Sequence, residues 1–255
     1  MQVVDSDLLA YLRHRVGEAR ISSRRPLIER KALELNQPQP DFSKTFGQPD
    51  ITAYVGFIDL AGFSNATNGK SPGEIADYVR PFLEESIRIL RGRRALIDKT
   101  IGDEIMFVLP ETEEDPKSPE VLLVGQICGD FYDLAHEGDR PYRYRIGLSY
   151  GKVRAVKIDG EGFSEWTFFG EPIHVAKRLQ ALQRLANPNP VCGAFGMVVP
   201  PGQLESVLPT LRARLGIIAG FASRFRHELV AEPVALKGVG EVCYALLLSR
   251  QEAAA

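Results

Sequence analysis

The chain is 255 residues long, 44% hydrophobic and 25% charged, values ordinary for one large globular domain or a domain with an appendage. A formal net charge of −2 excludes a surface built to wrap nucleic acid or coat an anionic membrane, so any anionic ligand must be met by a local cluster of cations. Three dispersed cysteines (Cys128, Cys192, Cys243) make neither a disulfide framework nor a zinc site and read as buried thiols. No apolar run approaches the roughly 18 residues of a membrane span, and the first residues lack the apolar core of a signal peptide. The expected location is the cytoplasm, with no membrane segment and no nucleic-acid partner.

Residues 5–35 have the pattern of a helix, capped by Asp5 or Ser6 and carrying Leu8, Leu9, Leu12 and Val16 at helical spacing. Its many arginines are either a solvated face or an arm that packs on a partner subunit. Residues 36–50 are punctuated by Pro, Gln and Asp and read as a linker, so residues 1–50 form an N-terminal arm and 51–250 the main domain. From Ile51 strands and helices alternate. Residues 51–60 (ITAYVGFIDL) are rich in β-branched and aromatic side chains and predict a strand. Residues 71–92 predict a helix with Ser71 at the N-cap, Pro72 at the first position and a kink at Pro81. Residues 95–110 read as a hairpin turning at Gly102-Asp103, 111–120 as a solvated acidic loop and 121–138 as a second helix. Residues 142–158 read as a strand pair, 172–186 as a third helix opened by Pro172, and 234–248 as closing strands. This order argues for one mixed sheet flanked by helices, an α+β or α/β sandwich.

Two aspartates stand out. Asp59 ends the first strand and runs into the glycine-containing loop LAGFS (60–64); Asp103 occupies the hairpin turn. A carboxylate after a strand is commonly a turn residue. A pair of them at the mouths of apolar strands has the chemistry to hold hard divalent cations against a polyphosphate. The backbone N–H groups of Gly62, Phe63 and Ser64 have the makings of an anion nest, and Lys99 lies four residues before Asp103.

With these residues in view the chain resembles the catalytic domain of class III nucleotidyl cyclases. The resemblance rests on five motifs in order: FIDLAGFS (57–64), KTIGDEIM (99–106), RIGLSYGKV (145–153), GEPIHVAKRL (170–179) and LKGVG (236–240). It implies a ferredoxin-like α+β fold with a mixed, mostly antiparallel sheet. It also implies conversion of a nucleoside triphosphate to a 3′,5′-cyclic monophosphate and pyrophosphate. By the same resemblance Asp59, Asp103 and the backbone carbonyl of Leu60 would bind two Mg²⁺ or Mn²⁺ ions per site. Lys99 and Thr167 would read the base, with Phe57 lining its pocket. Gly62, Phe63, Ser64, Arg145 and Lys237 would hold the phosphates, and Arg178 would stabilise charge at the transferring phosphorus. The family builds its site between two chains, and this chain carries both halves, which implies a homodimer.

His174 stands where the family usually has the Asn that orients the ribose, four residues before Arg178 and on the same helical face. An imidazole also donates a hydrogen bond, but it titrates near neutrality. Ser149 stands where the family often has His, with no catalytic consequence expected. For the base, Lys99 with Thr167 occurs among bacterial adenylate cyclases, yet the same pair meets a pyrimidine equally well. Tyr54, Trp166, Phe168 and Phe169 add aromatic bulk near the pocket, and the chain's layout resembles stand-alone pyrimidine cyclases of bacterial antiphage systems. The expected substrate is therefore UTP or CTP, giving cyclic UMP or cyclic CMP for a separate effector protein. The alternatives are an adenylate cyclase and a catalytically dead nucleotide-binding dimer. A diguanylate-cyclase-like enzyme would need a second glycine in the turn before Asp103, which the sequence lacks.

Overall fold

In the computed structural model the described residues are 50–111, 119–136, 142–160, 163–182, 191–221, 225–230 and 232–249. The expected N-terminal helix and nearly all of the linker lie outside them, as does most of the acidic loop. The first strand, β1 (Asp50–Leu60), is followed by a short helix α1 (Phe63–Thr67) and the long helix α2 (Pro72–Gly92). The hairpin β2 (Leu96–Ile101) and β3 (Glu104–Pro110) comes next, then α3 (Pro119–His136). A long strand β4 (Tyr144–Gly160) leads to β5 (Phe163–Phe169) and α4 (Glu171–Gln180). The chain closes with β6 (Val191–Val198), α5 (Leu204–Phe221), β7 (Phe225–Leu229), β8 (Val234–Leu236) and β9 (Gly240–Ser249).

These strands form one nine-stranded sheet in the order β2-β3-β1-β4-β6-β9-β7, with β5 added to β4 and β8 to β9. Only the β4–β6 pairing is parallel among the described residues. This is the expected mixed, mostly antiparallel α+β sheet. Side chains alternate across it. Tyr54, Ile58 and Leu60 of β1 join Phe82, Ile89 and Leu90 of α2, with Val124, Phe131, Leu211 and Leu215 of α3 and α5, in the larger core. Ile51, Ala53, Val55 and Phe57 face the other way and pack with Ala176 of α4.

α2 begins as its sequence requires. Ser71 Oγ accepts from the Glu74 N–H, and the Glu74 carboxylate accepts from the Ser71 N–H at 2.8 Å, a reciprocal capping box. Pro81 lies inside one continuous helix. α3 starts and ends two residues earlier than expected. The segment expected as a strand pair over 142–158 is instead the single strand β4, and its antiparallel partner β5 starts only after Gly160. Gly151 within β4 is a packing site: a Cβ there would lie 2.9 Å from Pro172 Cγ. α4 ends at Gln180 rather than at 186.

α5 is tied to the sheet by a buried charge. Arg214, 2% exposed, donates to Glu111 Oε1 at 2.7 Å and to the Tyr54 hydroxyl, and its guanidinium lies 3.6 Å from the Tyr150 ring centroid. Tyr150 donates in turn to Glu111, which completes a network in which each member has a charged or aromatic partner. Cys128 and Cys243 are buried free thiols, as expected, and burial pushes Cys128 up to about 12. No helix among the described residues is long and apolar enough to cross a membrane.

The seat of α4 matters most for the site. A Cβ on Gly147 of β4 would lie 2.0 Å from the Ala176 carbonyl oxygen and 2.4 Å from the Gln180 nitrogen, so the helix backbone rests directly on that glycine. Gly170, with φ 151°, lets the chain turn into the helix where a Cβ would lie 2.6 Å from the Lys152 carbonyl oxygen. Gly147→Ala should therefore lift α4 and lower stability by about 1–3 kcal/mol, the usual cost of overpacking. Urea denaturation measures it, and an unchanged midpoint would show that the helix is not seated by this contact.

Candidate active site

Asp59, the penultimate residue of β1, shares the face of Phe57 and is 7% exposed. The antiparallel β1–β4 ladder places Arg145 opposite it. Arg145 grips the carboxylate with both arms of its fork, Nε to Oδ1 at 2.9 Å and Nη2 to Oδ2 at 2.7 Å. Burial pushes Asp59 up to about 6. The hydrogen bond and charge of Arg145 pull the other way, and Asp103 adds a smaller upward push. Asp103 arrives from the β2–β3 turn, where Gly102 takes a left-handed φ of 62°. Because β3 pairs with β1, that turn lies beside the end of β1, and Asp103 Oδ2 accepts from the Leu60 N–H at 3.3 Å. Burial raises the Asp103 carboxyl as well.

The donor set fits a hard divalent cation. It consists of the two carboxylates and the neighbouring Leu60 carbonyl, all oxygen, and no cluster of three or more His, Cys, Asp or Glu able to hold a metal occurs among the described residues. Two carboxylates without an all-protein cage are the pattern of Mg²⁺, which completes its shell with water and substrate phosphate. Arg145 takes one lone pair on each Asp59 oxygen, and the carboxylate has others beyond those two. The resemblance assigns Arg145 to the phosphates. In the structure it is the counter-ion of Asp59.

α4 contributes the wall of this group. Gln180, 1% exposed, lies near enough to Asp59 to favour its charged form, and it accepts from Lys177 Nζ at 3.3 Å. Lys177 also donates to Glu104 and lies 5.6 Å from the Phe57 ring centroid, so Phe57 is buried beneath a cation. Gln180, Lys177 and Glu104 were not legible as site residues. A glutamine in the last turn of an otherwise apolar-faced helix was the one available signal.

The two residues that the resemblance assigns to the base also meet. Lys99 Nζ donates to Thr167 Oγ1 at 3.3 Å, across from β2 to β5. Asp98, unflagged by the sequence reading, joins them: Thr167 Oγ1 donates to its Oδ2 at 3.3 Å, and Lys99 Nζ lies 3.1 Å from the same oxygen. The aromatic surroundings are thinner than expected. Tyr54 points into the opposite core, where it meets Arg214 and Tyr150, and Phe169 is 53% exposed. Phe168 packs with the Phe57 cluster, and the Trp166 side chain lies outside the described residues.

Most of the remaining candidates are exposed, while Phe63 packs against the larger core. Gly62, with φ 82°, precedes α1 and its carbonyl accepts from Asn65 and Ala66; Phe63 stacks on Tyr78 at 6.4 Å, while Ser64 is exposed. On α4 the buried face is Pro172, Val175, Ala176, Leu179 and Gln180, and His174 and Arg178 are exposed. Lys237 is exposed in the turn between β8 and β9. Among the described residues no hydrogen bond or ion pair ties His174, Arg178 or Lys237 to the carboxylates of the same chain. Ser149 is fully buried on β4.

No family model matches the chain. An uncharacterised protein of Mycobacterium tuberculosis is 29% identical over 161 residues, 62% of this chain but 35% of that protein. An adenylate cyclase of Streptomyces coelicolor is 25% identical over 128 residues, 50% of this chain and 29% of that one. The chain thus spans about a third of the length of the curated relatives it matches. Among solved structures, the catalytic core of a rhodopsin-guanylyl cyclase superposes with a TM-score of 0.57 at 16% identity, covering 81% of this chain and 100% of that one. The adenylyl cyclase CyaB from Pseudomonas aeruginosa gives 0.56 at 15% identity, covering 81% and 98%. The fold of this chain is that of the class III adenylyl and guanylyl cyclase catalytic domains.

Proposed function

We propose that two copies of this chain form a nucleotidyl cyclase that converts a nucleoside triphosphate to a 3′,5′-cyclic monophosphate and pyrophosphate. The observation that carries this reading is the meeting of Asp59 and Asp103 at the end of β1, with the Leu60 N–H holding the second carboxylate in place. Asp59, Asp103 and the Leu60 carbonyl are the residues that would hold two divalent cations, Mg²⁺ or Mn²⁺. Bound there, the cations supply acidification of the ribose 3′-hydroxyl and neutralise charge on the departing pyrophosphate.

The side chains position the rest. Lys99 and Thr167 hold the base edge, beside Phe57. The backbone N–H groups at Gly62, Phe63 and Ser64, with Lys237, take the phosphates. Arg145, the counter-ion of Asp59, would add its charge to the phosphates when Asp59 has another partner. Arg178 meets negative charge developing at the α-phosphorus, and His174 donates to a ribose oxygen. Such catalysis is mostly positioning and electrostatics. His174 and Arg178 point out of their own chain, which is the placement expected of groups that complete a partner's site.

The finer reading is a pyrimidine triphosphate, UTP or CTP, whose cyclic product acts through a separate effector in antiphage defence. ATP is its alternative; the relatives do not separate the bases, since an adenylate cyclase and a receptor-type guanylate cyclase are each 25% identical to this chain. Purified protein given each of the four triphosphates with Mn²⁺ separates them, and cyclic AMP as the sole product would remove the pyrimidine reading.

The composite site has its own test. Asp59→Ala and Asp103→Ala should abolish turnover, and Arg178→Ala should lower kcat by about 10²–10³-fold, as for a lost transition-state donor. Co-expressed Asp59→Ala and Arg178→Ala chains should regain roughly a quarter of wild-type activity. Half of the random dimers are mixed, and each mixed dimer keeps one intact site. No recovery would place both groups in the site of a single chain.

A further inference from the structure

The β2–β3 ladder slips at one place. Ile97 pairs with Phe107 and Lys99 with Met106, which leaves Asp98 as the extra residue of a bulge. In an unbroken strand, adjacent side chains point to opposite faces. The slip lets Asp98 and Lys99 converge on a single atom, Thr167 Oγ1 of β5. Lys99 Nζ donates to that oxygen at 3.3 Å, and the hydroxyl donates to Asp98 Oδ2 at 3.3 Å. Both are long, as catalytic-site hydrogen bonds often are before a ligand tightens them. The Asp98 side chain is 0% exposed, Thr167 is 8% exposed, and the Lys99 side chain is 40% exposed, so the pocket opens on the lysine side.

Counting protons gives the pocket a polarity. A threonine hydroxyl has one proton and two lone pairs, an ionised carboxylate only accepts, and an ammonium only donates. Asp98 takes the Thr167 proton, and Lys99 takes one Thr167 lone pair. What Thr167 has left for a ligand is an acceptor. What Lys99 has left is a donor.

We propose that Asp98 is a positioning residue that sets base specificity by fixing Thr167 as an acceptor, so that the pocket selects an amino-bearing base. Adenine and cytosine each present an exocyclic amino donor beside a ring-nitrogen acceptor, which matches the pair. Guanine and uracil present a carbonyl beside an N–H, which places acceptor against acceptor and donor against donor. The selected substrates are ATP and CTP, against GTP and UTP. The inference rests on the cyclase reading for its ligand class and narrows it. One mismatched buried polar contact should discriminate by about 10- to 100-fold.

The test is kcat/KM with Mn²⁺ for the four triphosphates, in the wild-type dimer and in Asp98→Asn, together with calorimetric binding of the four non-cyclisable 3′-deoxy triphosphates. The wild type should favour ATP and CTP. The amide of Asp98→Asn can donate to Thr167 and free its proton for the base, so the amino-to-oxo ratio should fall at least about tenfold. Thr167→Val, a second variant, should weaken ATP and CTP while sparing GTP and UTP. A wild-type preference for GTP or UTP overturns the inference and leaves the cyclase reading standing. Equal loss for all four bases in Asp98→Asn, with an unchanged ratio, also overturns it, because that is what a merely structural carboxylate would do. Binding with the amino preference but no turnover sustains the inference and removes the cyclase reading. No binding of any triphosphate removes both.

Discussion

The site depends on one close contact, the seating of the α4 backbone on Gly147. Helix and sheet normally keep their backbones apart by the thickness of their side chains. Here the carbonyl of Ala176 and the nitrogen of Gln180 occupy the space of a missing Cβ. That approach brings Gln180 within reach of Asp59 and Lys177 within reach of Glu104 and Phe57. It also fixes which residues cannot reach inward. With Val175, Ala176, Leu179 and Gln180 buried, helical geometry turns His174 and Arg178 out to solvent. The same packing that gathers Gln180 and Lys177 around Asp59 and Phe57 therefore leaves His174 and Arg178 on the surface, where the proposed dimer would use them.

Asp59 illustrates how the fold keeps a charge ready for use. Its carboxylate is nearly buried, which favours the protonated form, and the two-pronged hydrogen bond from Arg145 opposes that tendency. Removing Arg145 without replacement would leave a buried charge with little compensation, a costly arrangement. On the proposed reading, a divalent cation at the same carboxylate would supply that compensation in another form. Arg145 is the observed counter-ion of Asp59, and the phosphate role proposed for it would follow once another cation holds that carboxylate.

Local rules were readable in the chain; long-range ones were not. Ser71, Pro72 and Glu74 announce the start of α2 because a helix N-terminus needs acceptors for its first N–H groups, and the structure places the capping box there. Gly102-Asp103 announces the hairpin because a tight turn needs a left-handed residue. The convergence of Asp59 with Asp103 follows once those strands pair. By contrast, Arg214 is indistinguishable in sequence from a surface arginine; only the fold reveals Glu111, Tyr54 and Tyr150 around it. The apolar spacing of Leu204, Val207, Leu208, Leu211, Leu215 and Ile218 carries the signal of α5, whereas β6 and β7 are not among the elements expected from the sequence. The strand pair expected over 142–158 differs from the single strand β4 for a related reason: glycine serves turns and close packing alike, and Gly147 and Gly151 are both packing sites.

The bulge at Asp98 is the least legible feature and the one with most bearing on chemistry. Register is a property of two strands, so no inspection of residues 96–101 alone shows that Asp98 and Lys99 share a side. Lys99 and Thr167 by themselves leave the base open, because a threonine hydroxyl both donates and accepts. A buried carboxylate on that hydroxyl removes the ambiguity by consuming its only proton. Specificity in such a pocket then belongs less to the groups that touch the base than to the group behind them that decides which way their hydrogen bonds run.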